Sequence, residues 1–230
     1  MRAQPRRVRI HPAGLPPAKD FRPLALACRT ALRFSIRGCY DRPEEACSVV
    51  HRNGPDCFAA IDFETADYGR DSACAVALVR VEDNRIAGRV SSLIRPPRRE
   101  FVFTYLHGIT WDMVRNAPTF AQLWPQWNGW LRGVQFLAAH NAGFDRGVLK
   151  ACCRASGLAL PDIPFQCTVR MARNIFGIYP TRLDCVCSAL GIPLVHHQAE
   201  SDAEACARIV LAARAKAASG GRRPDAIISV

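Results

Sequence analysis

The chain has 230 residues, of which 49% are hydrophobic and 22% are charged, and this balance excludes a disordered or fibrous protein and predicts a globular one. No apolar run approaches the roughly 20 residues that a membrane-spanning helix needs, so we expect no membrane partner. The formal net charge of +11 favours an anionic partner, and nucleic acid is the natural suspicion.

The basic excess is almost entirely arginine, because the only lysines are Lys19, Lys150 and Lys216. Arginine binds phosphate with two parallel hydrogen bonds, which supports the nucleic-acid interpretation. A genomic bias toward arginine codons would explain the ratio of Arg to Lys equally well. It would not explain the positive sign of the net charge.

The 11 cysteines are scattered, and no CxxC pair predicts a zinc site. Their odd number, without a secretory signal, predicts reduced thiols and a cytoplasmic location. We expect most of them to be small core residues.

Residues 1–55 differ from the rest of the chain. They carry ten Arg and one Lys against four acidic residues, contain frequent prolines, and show no helical or strand period. Three interpretations stay open for this basic extension: a poorly ordered segment or a misplaced start codon, a nucleic-acid-binding arm, or a targeting peptide. We expect one domain over residues 56–217 and a short tail over residues 218–230.

Apolar runs and turn residues in the first half of the domain predict strands over 58–63, 73–81 and 88–94, in meander order. Thr119 is a candidate cap for a helix that ends near residue 131. Further along the chain the patterns predict a buried strand over 135–139, a helix over 142–156, a short strand over 165–168, and helices over 168–176, 182–190 and 201–217. Strands followed by alternating helices and strands indicate an α/β protein with a mixed sheet.

The first polar cluster is "IDFETA", at the end of the first strand. Residues i and i+2 of a strand point to the same face, so Asp62 and Glu64 should converge on one spot. A solvated strand face would show the same pattern. The apolar residues that precede the cluster favour a central strand, where paired carboxylates need a cation.

The second cluster, "HNAGFD", lies where the buried fourth strand ends and a helix begins. Ligand sites in open α/β sheets gather at the carboxyl ends of strands. Asn141 and Asp145 would also serve as a helix cap and as a carboxylate in the first turn. Both interpretations stay open for this cluster alone.

The third cluster is "HHQAESDAEA", at the start of the last predicted helix. His197 stands five residues before Asp202, so both side chains can approach one site. Capping by Ser201 would explain the acidic residues that follow, but it would not explain His197.

Taken together, the three clusters resemble the motifs of DEDD-type 3′–5′ exonucleases, in the subgroup whose fifth active-site residue is histidine. That family includes the epsilon subunit of bacterial DNA polymerase III, ribonuclease T and oligoribonuclease. The segment "HGIT", residues 107–110, resembles a further family segment. The resemblance covers about residues 57–212 and has no counterpart for residues 1–55.

The resemblance implies a ribonuclease-H-like fold, that is, a mixed five-stranded sheet flanked by helices, with two divalent metal ions. Four carboxylates in one cleft repel one another unless cations intervene, and oxygen ligands suit Mg²⁺ or Mn²⁺ better than zinc. As a hypothesis, Asp62, Glu64 and Asp202 hold the first ion, and Asp62 with Asp145 helps to hold the second. His197 is the candidate general base, and His196 is its rival.

The resemblance also places substrate contacts near Thr65, His107, Ile109, Asn141 and Phe144. Arg95, Arg98 and Arg99, in the segment "IRPPRRE", either contact phosphates of the substrate or form a solvated basic loop.

The sequence thus predicts a metal-dependent 3′–5′ exonuclease that acts on a nucleic-acid 3′ end, with single-stranded DNA as the favoured substrate. An RNA 3′-end trimming enzyme shares the same chemistry. An inactive nucleic-acid-binding module should have lost at least one carboxylate, and none is missing. The short tail after the last predicted helix favours a free-standing enzyme over a subunit bound to a DNA polymerase, although such an association stays open.

Overall fold

The structure is a computed structural model that describes residues 56–219. The basic extension predicted for residues 1–55, and the predicted tail beyond Ser219, lie outside the described residues. The described part of the chain contains a five-stranded mixed sheet with helices packed on it, which confirms the predicted fold class.

Three antiparallel strands form the first half of the sheet, and they are β1 (Cys57–Thr65), β2 (Ala73–Glu82) and β3 (Arg85–Leu93). Asp83 and Asn84, between β2 and β3, have φ values of 47° and 60°. Two left-handed residues in a row are the mark of a tight type I′ hairpin. β3 therefore begins directly after this turn, earlier than the predicted residue 88.

The segment after β3 contains short helices, namely α1 (Thr104–His107), α2 (Trp111–Val114) and α3 (Phe120–Leu123), and then a 3-10 helix (Trp124–Leu131). Thr119 is the N-cap of α3, as predicted, and its N–H donates to Gln122 Oε1 at 2.9 Å. The single helix predicted for 119–131 is wrong in its second half. Pro125 removes an N–H that a continuous α-helix would use.

The second half of the sheet is parallel. It consists of β4 (Leu137–Ala139), which pairs with β1, and β5 (Phe165–Cys167), which pairs with β4. Helix α4 (Gly143–Ala155) connects these two strands. The strand order is β3-β2-β1-β4-β5, which places β1 at the centre of the sheet, as its apolar composition predicted.

The remaining helices are α5 (Thr168–Met171), continued by a π-helical turn (Ala172–Phe176), then α6 (Leu183–Leu190) and α7 (Ala199–Ser219). Because α7 begins at Ala199, Ser201 lies inside the helix and is not its cap. Its Oγ instead accepts the N–H of Val195 at 2.8 Å. Among the described residues, no helix is both long and apolar enough to cross a membrane.

The core lies in two layers, one on each face of the sheet. The face that carries Ala60 packs against α7, and the face that carries Ile61 packs against α4. Since side chains alternate along a strand, Asp62 and Glu64 share the α7 face. Large side chains buried in such layers each contribute about 2 kcal/mol, so the strand that carries these carboxylates is held rigidly.

Candidate active site

Two carboxylates lie at the carboxyl end of β1. Asp62 and Glu64 are partly buried and are flanked by fully buried residues of the same strand. Their carboxylate oxygens lie within 4.8 Å of each other and of a carboxylate oxygen of Asp202. Helix α7 packs across β1, and this packing brings together residues far apart in the sequence.

Asp202 is the most buried of these three residues, with 4% of its surface exposed. Its Oδ2 accepts the N–H of His197 at 3.0 Å and lies 3.2 Å from His196 Nδ1. Its Oδ1 is buried and has no hydrogen-bond partner among residues 56–219. An unpaired buried carboxylate oxygen costs free energy, so this atom is suited to a ligand from outside the chain.

Asp145 approaches β1 from the first turn of α4. It is 2% exposed, and its Oδ1 accepts the N–H of Phe63 at 3.1 Å. The parallel pairing of β1 with β4 ends at Ala60 and Ala138. Beyond that point the Asp145 carboxylate accepts a β1 backbone N–H that a neighbouring strand would otherwise bind. This hydrogen bond holds the Asp145 side chain close to Asp62.

Burial makes all four carboxylates harder to ionise, and neighbouring carboxylate charges add to this for Asp62 and Glu64. Burial, and then the charges of Asp145, Asp202 and Glu64, raise the pKa of Asp62 well above its usual range. Burial, with the charges of Asp202 and Asp145, raises the pKa of Glu64 to about 8. Burial also raises the pKa of Asp145 to about 7, and it raises that of Asp202. The metal-free site therefore retains protons near neutral pH.

These pKa values predict how the stability of the metal-free protein depends on pH. A carboxyl whose pKa is raised by folding holds a proton that the unfolded chain releases, so stability is complete at low pH and falls as pH rises. In EDTA, we expect the free energy of unfolding to decrease by roughly a few kcal/mol as the pH rises from 5 to 9. Urea denaturation across this range, with and without Mn²⁺, is the measurement.

The control for this pH series is Glu64→Gln, which should flatten the decrease because it removes one of the mutually repelling carboxylates. Mn²⁺ should restore stability above about pH 7 in the wild type, since a bound cation neutralises the site. Stability that stays level or rises over the same range in EDTA would contradict the predicted sign.

The donor set fits divalent cations. Three carboxylates present oxygens within 4.8 Å of one another, and one of them retains a buried unpaired oxygen. Hard oxygen donors of this kind prefer Mg²⁺ or Mn²⁺, whereas a zinc site would contain more His or Cys. The chain's own residues are therefore consistent with a divalent metal site.

Two histidines border the carboxylates. The ring of His197 stacks on that of His196 with centroids 3.9 Å apart, and nitrogens of both rings lie within 4.8 Å of an Asp202 oxygen. His197 is partly buried, and its backbone is left-handed with φ 63°, which turns its N–H toward Asp202. His196 is exposed but hydrogen-bonds to Asp202, so it is more than a solvated loop residue.

Comparison with known proteins decides the family. A family model described as "Exonuclease" matches residues 59–210, which include the three motifs and most of the strands and helices that carry them. The chain belongs to this exonuclease family. The DEDD-type 3′–5′ exonuclease resemblance found in the sequence is thereby confirmed, and the chain is an enzyme of the nuclease class.

Among curated relatives of this exonuclease, "DNA polymerase III PolC-type" from Clostridium perfringens is 31% identical over 160 residues. The match covers 67% of this chain but only 11% of the relative. The protein from Oceanobacillus iheyensis with the same description is 33% identical over 155 residues, which cover 65% of this chain and 11% of that protein. The chain thus spans a small part of the length of these relatives.

Solved structures share the exonuclease fold. Exonuclease X in complex with 5′ overhanging duplex DNA is 23% identical with a TM-score of 0.60, and the match covers 74% of this chain and 97% of that one. The nuclease domain of 3′hExo, a DEDDh family member bound to rAMP, is 21% identical with a TM-score of 0.60, covering 74% and 94%. At sequence identities below 25%, this structural similarity establishes a shared fold and nothing further.

Three of the predicted substrate contacts of the exonuclease lie together at the end of β1. Thr65 and Ile109 are each 7% exposed, and His107 connects them. Ile109 N–H donates to His107 Nδ1 at 3.0 Å, so the ring proton lies on Nε2, which donates to the Thr65 carbonyl at 3.1 Å. Burial lowers the pKa of His107, which keeps the ring neutral. Both of its nitrogens are engaged, so a substrate would meet only its carbon edge.

The other two predicted contacts, Asn141 and Phe144, lie at the exposed start of α4. Asn141 has φ 66° and precedes the helix, whose N-cap is Ala142, so Asn141 does not cap it. Phe144 is 38% exposed. Asn141 and Phe144 thus face solvent, on the helix that carries Asp145.

Two residues near the site have roles that the sequence did not predict. Arg98 pairs with both Asp67 and Asp71, at 2.8 and 2.7 Å, and so is not a free phosphate contact in the "IRPPRRE" loop. His140 lies 2.8 Å from Thr168 Oγ1 and 2.8 Å from the Thr181 carbonyl, which ties the end of β4 to two other segments. His140 is the first residue of "HNAGFD", directly after the buried strand, and this position was the sequence feature from which such a role could have been predicted.

Proposed function

We propose that the chain is a divalent-metal-dependent 3′–5′ exonuclease that releases nucleoside 5′-monophosphates from single-stranded DNA. The observation that carries the proposal is the buried Asp202 Oδ1, which has no hydrogen-bond partner within residues 56–219 and stands beside Asp62 and Glu64. A merely structural carboxylate would be paired.

In this proposal Asp62, Glu64 and Asp202 hold one metal ion, and Asp62 with Asp145 helps to hold a second. The raised pKa values of these groups support it, because a cluster that resists ionisation alone becomes stable when cations neutralise it. When bound, such ions would acidify the attacking water and stabilise charge on the phosphodiester oxygens.

His197 is the proposed general base. Its ring nitrogen lies within 4.8 Å of an Asp202 oxygen, and a neutral imidazole nitrogen can accept a proton. It would accept the proton of the water that attacks the terminal phosphodiester. His196 is the proposed positioning residue for Asp202. Its hydrogen bond holds Oδ2 of that carboxylate and leaves Oδ1 without a partner, available to a metal ion.

Three exposed aromatic side chains support a single-stranded substrate. Tyr68 and Tyr105 are 81% and 76% exposed, and Phe144 is 38% exposed. Tyr68 follows β1, Tyr105 precedes His107, and Phe144 precedes Asp145, so all three are sequence neighbours of site residues. Unpaired bases stack on such rings at about 1–3 kcal/mol each. Thr65, His107 and Ile109 would line the floor beneath the terminal nucleotide, with Asn141 at its edge.

RNA 3′-end trimming is the second candidate, since the structural neighbour 3′hExo was solved with rAMP bound. Base stacking accepts either sugar, so the three exposed rings are compatible with both. Association with a DNA polymerase is a further proposal that rests on the PolC-type relatives.

One assay tests the proposed function. The purified full chain is incubated with Mg²⁺, Mn²⁺ or EDTA on 3′- and 5′-labelled single-stranded DNA, duplex DNA, RNA and dinucleotides. We expect stepwise loss from the 3′ end with either metal, fastest on single-stranded DNA, and no cleavage in EDTA. Absence of metal-dependent cleavage on every substrate would refute the proposal, and faster RNA cleavage would favour the second candidate.

A further inference from the structure

A basic groove borders the core layer between the sheet and α4, and one of its lining residues, Trp111, packs against the other core layer. Its volume is about 760 Å³, and its lining includes Ile94 and Cys152, which belong to the core layer between the sheet and α4. We call it the arginine groove. The side chains that give it its chemistry are Arg95, Arg99, Arg115, Pro96, Trp111 and Phe120.

The arginine groove carries excess positive charge. Against the three arginines of its lining stands one acidic lining residue, Asp71, which is paired with Arg98 through two hydrogen bonds of 2.7 and 3.0 Å. Arg115 lies 3.9 Å from Asp112, which is 84% exposed. Arg95 and Arg99 form no ion pair with a carboxylate anywhere in the described part of the chain.

The two unpaired arginines are presented by a stiff segment. Arg95 N–H donates to the Pro118 carbonyl at 2.9 Å, and two prolines with restricted φ follow it. The Arg99 guanidinium lies over the Trp111 ring, 5.3 Å from its centroid. A guanidinium held over an aromatic ring, beside a second arginine on a stiff backbone, is suited to the phosphates of a nucleic-acid strand.

The same segment connects the arginine groove to the active site. Beyond Arg99, Val102 N–H donates to the Ala66 carbonyl at 2.7 Å, and Ala66 follows Glu64 at the end of β1. The three peptide units from Arg99 to Val102 span at most about 10 Å. Ala66 stands two residues after Glu64, so a short stretch of chain separates the arginine groove from the active site.

We propose that the arginine groove holds the phosphate backbone of the substrate strand a few nucleotides on the 5′ side of the scissile bond. This inference rests on the proposed function and adds a substrate class: strands long enough to reach from the active site to the groove. A dinucleotide occupies the active site alone. Arg95 and Arg99 bind phosphates, and the apolar wall of Pro96 and Phe120 contacts sugars and bases.

The test is the double variant Arg95→Ala/Arg99→Ala of the full chain, assayed with Mn²⁺ on a dinucleotide and on a strand of about fifteen nucleotides. We expect the KM for the long strand to rise about tenfold, with kcat and dinucleotide hydrolysis unchanged. Each lost phosphate contact should also reduce the slope of log(kcat/KM) against log salt by about 0.7, so by about 1.4 for the pair.

The matched control is Arg85→Ala/Arg132→Ala, which removes the same charge from two exposed arginines that do not line the arginine groove. It should change neither KM nor the salt slope appreciably. Equal effects of the two double variants would overturn the proposal, as would an equal rise in KM on the dinucleotide. Competition by inorganic phosphate without any dependence on strand length would show a free-anion site and would also overturn it.

Failure of the proposed function can be recognised separately. If the wild type cleaves no substrate, fluorescence anisotropy of the labelled long strand still measures binding. Weaker binding by Arg95→Ala/Arg99→Ala, but not by the control, would then support the arginine groove. Unchanged binding would overturn the groove, whatever the enzyme does.

Discussion

Asp62→Ala should remove metal-dependent nuclease activity while leaving the free energy of unfolding unchanged or higher. Asp62 is the carboxylate shared by both proposed metal positions, and metal ions supply several kcal/mol of transition-state stabilisation. Since about 1.4 kcal/mol is a factor of ten in rate, we expect kcat/KM to fall at least about a thousandfold. Stopped assays on labelled single-stranded DNA with Mn²⁺ measure this loss.

The stability half of this prediction separates a functional carboxylate from a structural one. The pKa of Asp62 is raised by burial and by three neighbouring carboxylates, so its charge destabilises the metal-free fold. Thermal unfolding in EDTA should therefore shift upward or stay level in Asp62→Ala. The control is Asp162→Ala, which removes an exposed carboxylate and should leave both activity and stability unchanged. Full activity in purified Asp62→Ala would refute the metal assignment.

The convergence of Asp62 and Glu64 could be predicted because strand alternation is a local rule, and the apolar residues before them identified a central strand. The position of Asp145 at this edge followed from where the buried strand β4 ends, whereas the resemblance to exonucleases assigned Asp202 to the same site. The strand order and the mixed sheet agree with that pattern. Where one face of an element is buried, local periodicity was sufficient to predict the element and the direction of its side chains.

Other features depend on contacts that no local pattern encodes. Arg95, Arg98 and Arg99 look alike in "IRPPRRE", yet only Arg98 meets Asp67 and Asp71, which belong to the distant loop after β1. Helices α1 and α2 have four residues each, too few to display a helical period. The unpaired oxygen of Asp202 exists because His196 and the His197 N–H both use the other oxygen, and that choice is made by loop geometry.

That loop geometry also determines how the two histidines should be tested. His197 has φ 63°, a left-handed conformation that asparagine tolerates and that strains most other residues. His197→Asn therefore removes the base without forcing the backbone to change, and His196→Asn is its matched control. Thermal unfolding of both variants should stay close to that of the wild type.

With the fold preserved, His197→Asn should lower kcat by roughly a hundredfold to ten-thousandfold, the usual contribution of a general base. His196→Asn should cost about tenfold to a hundredfold, because it weakens only the orientation of Asp202. Steady-state kcat of both variants on labelled single-stranded DNA with Mn²⁺ measures this ranking. The reverse ranking would make His196 the base, since both rings lie within reach of the same carboxylate.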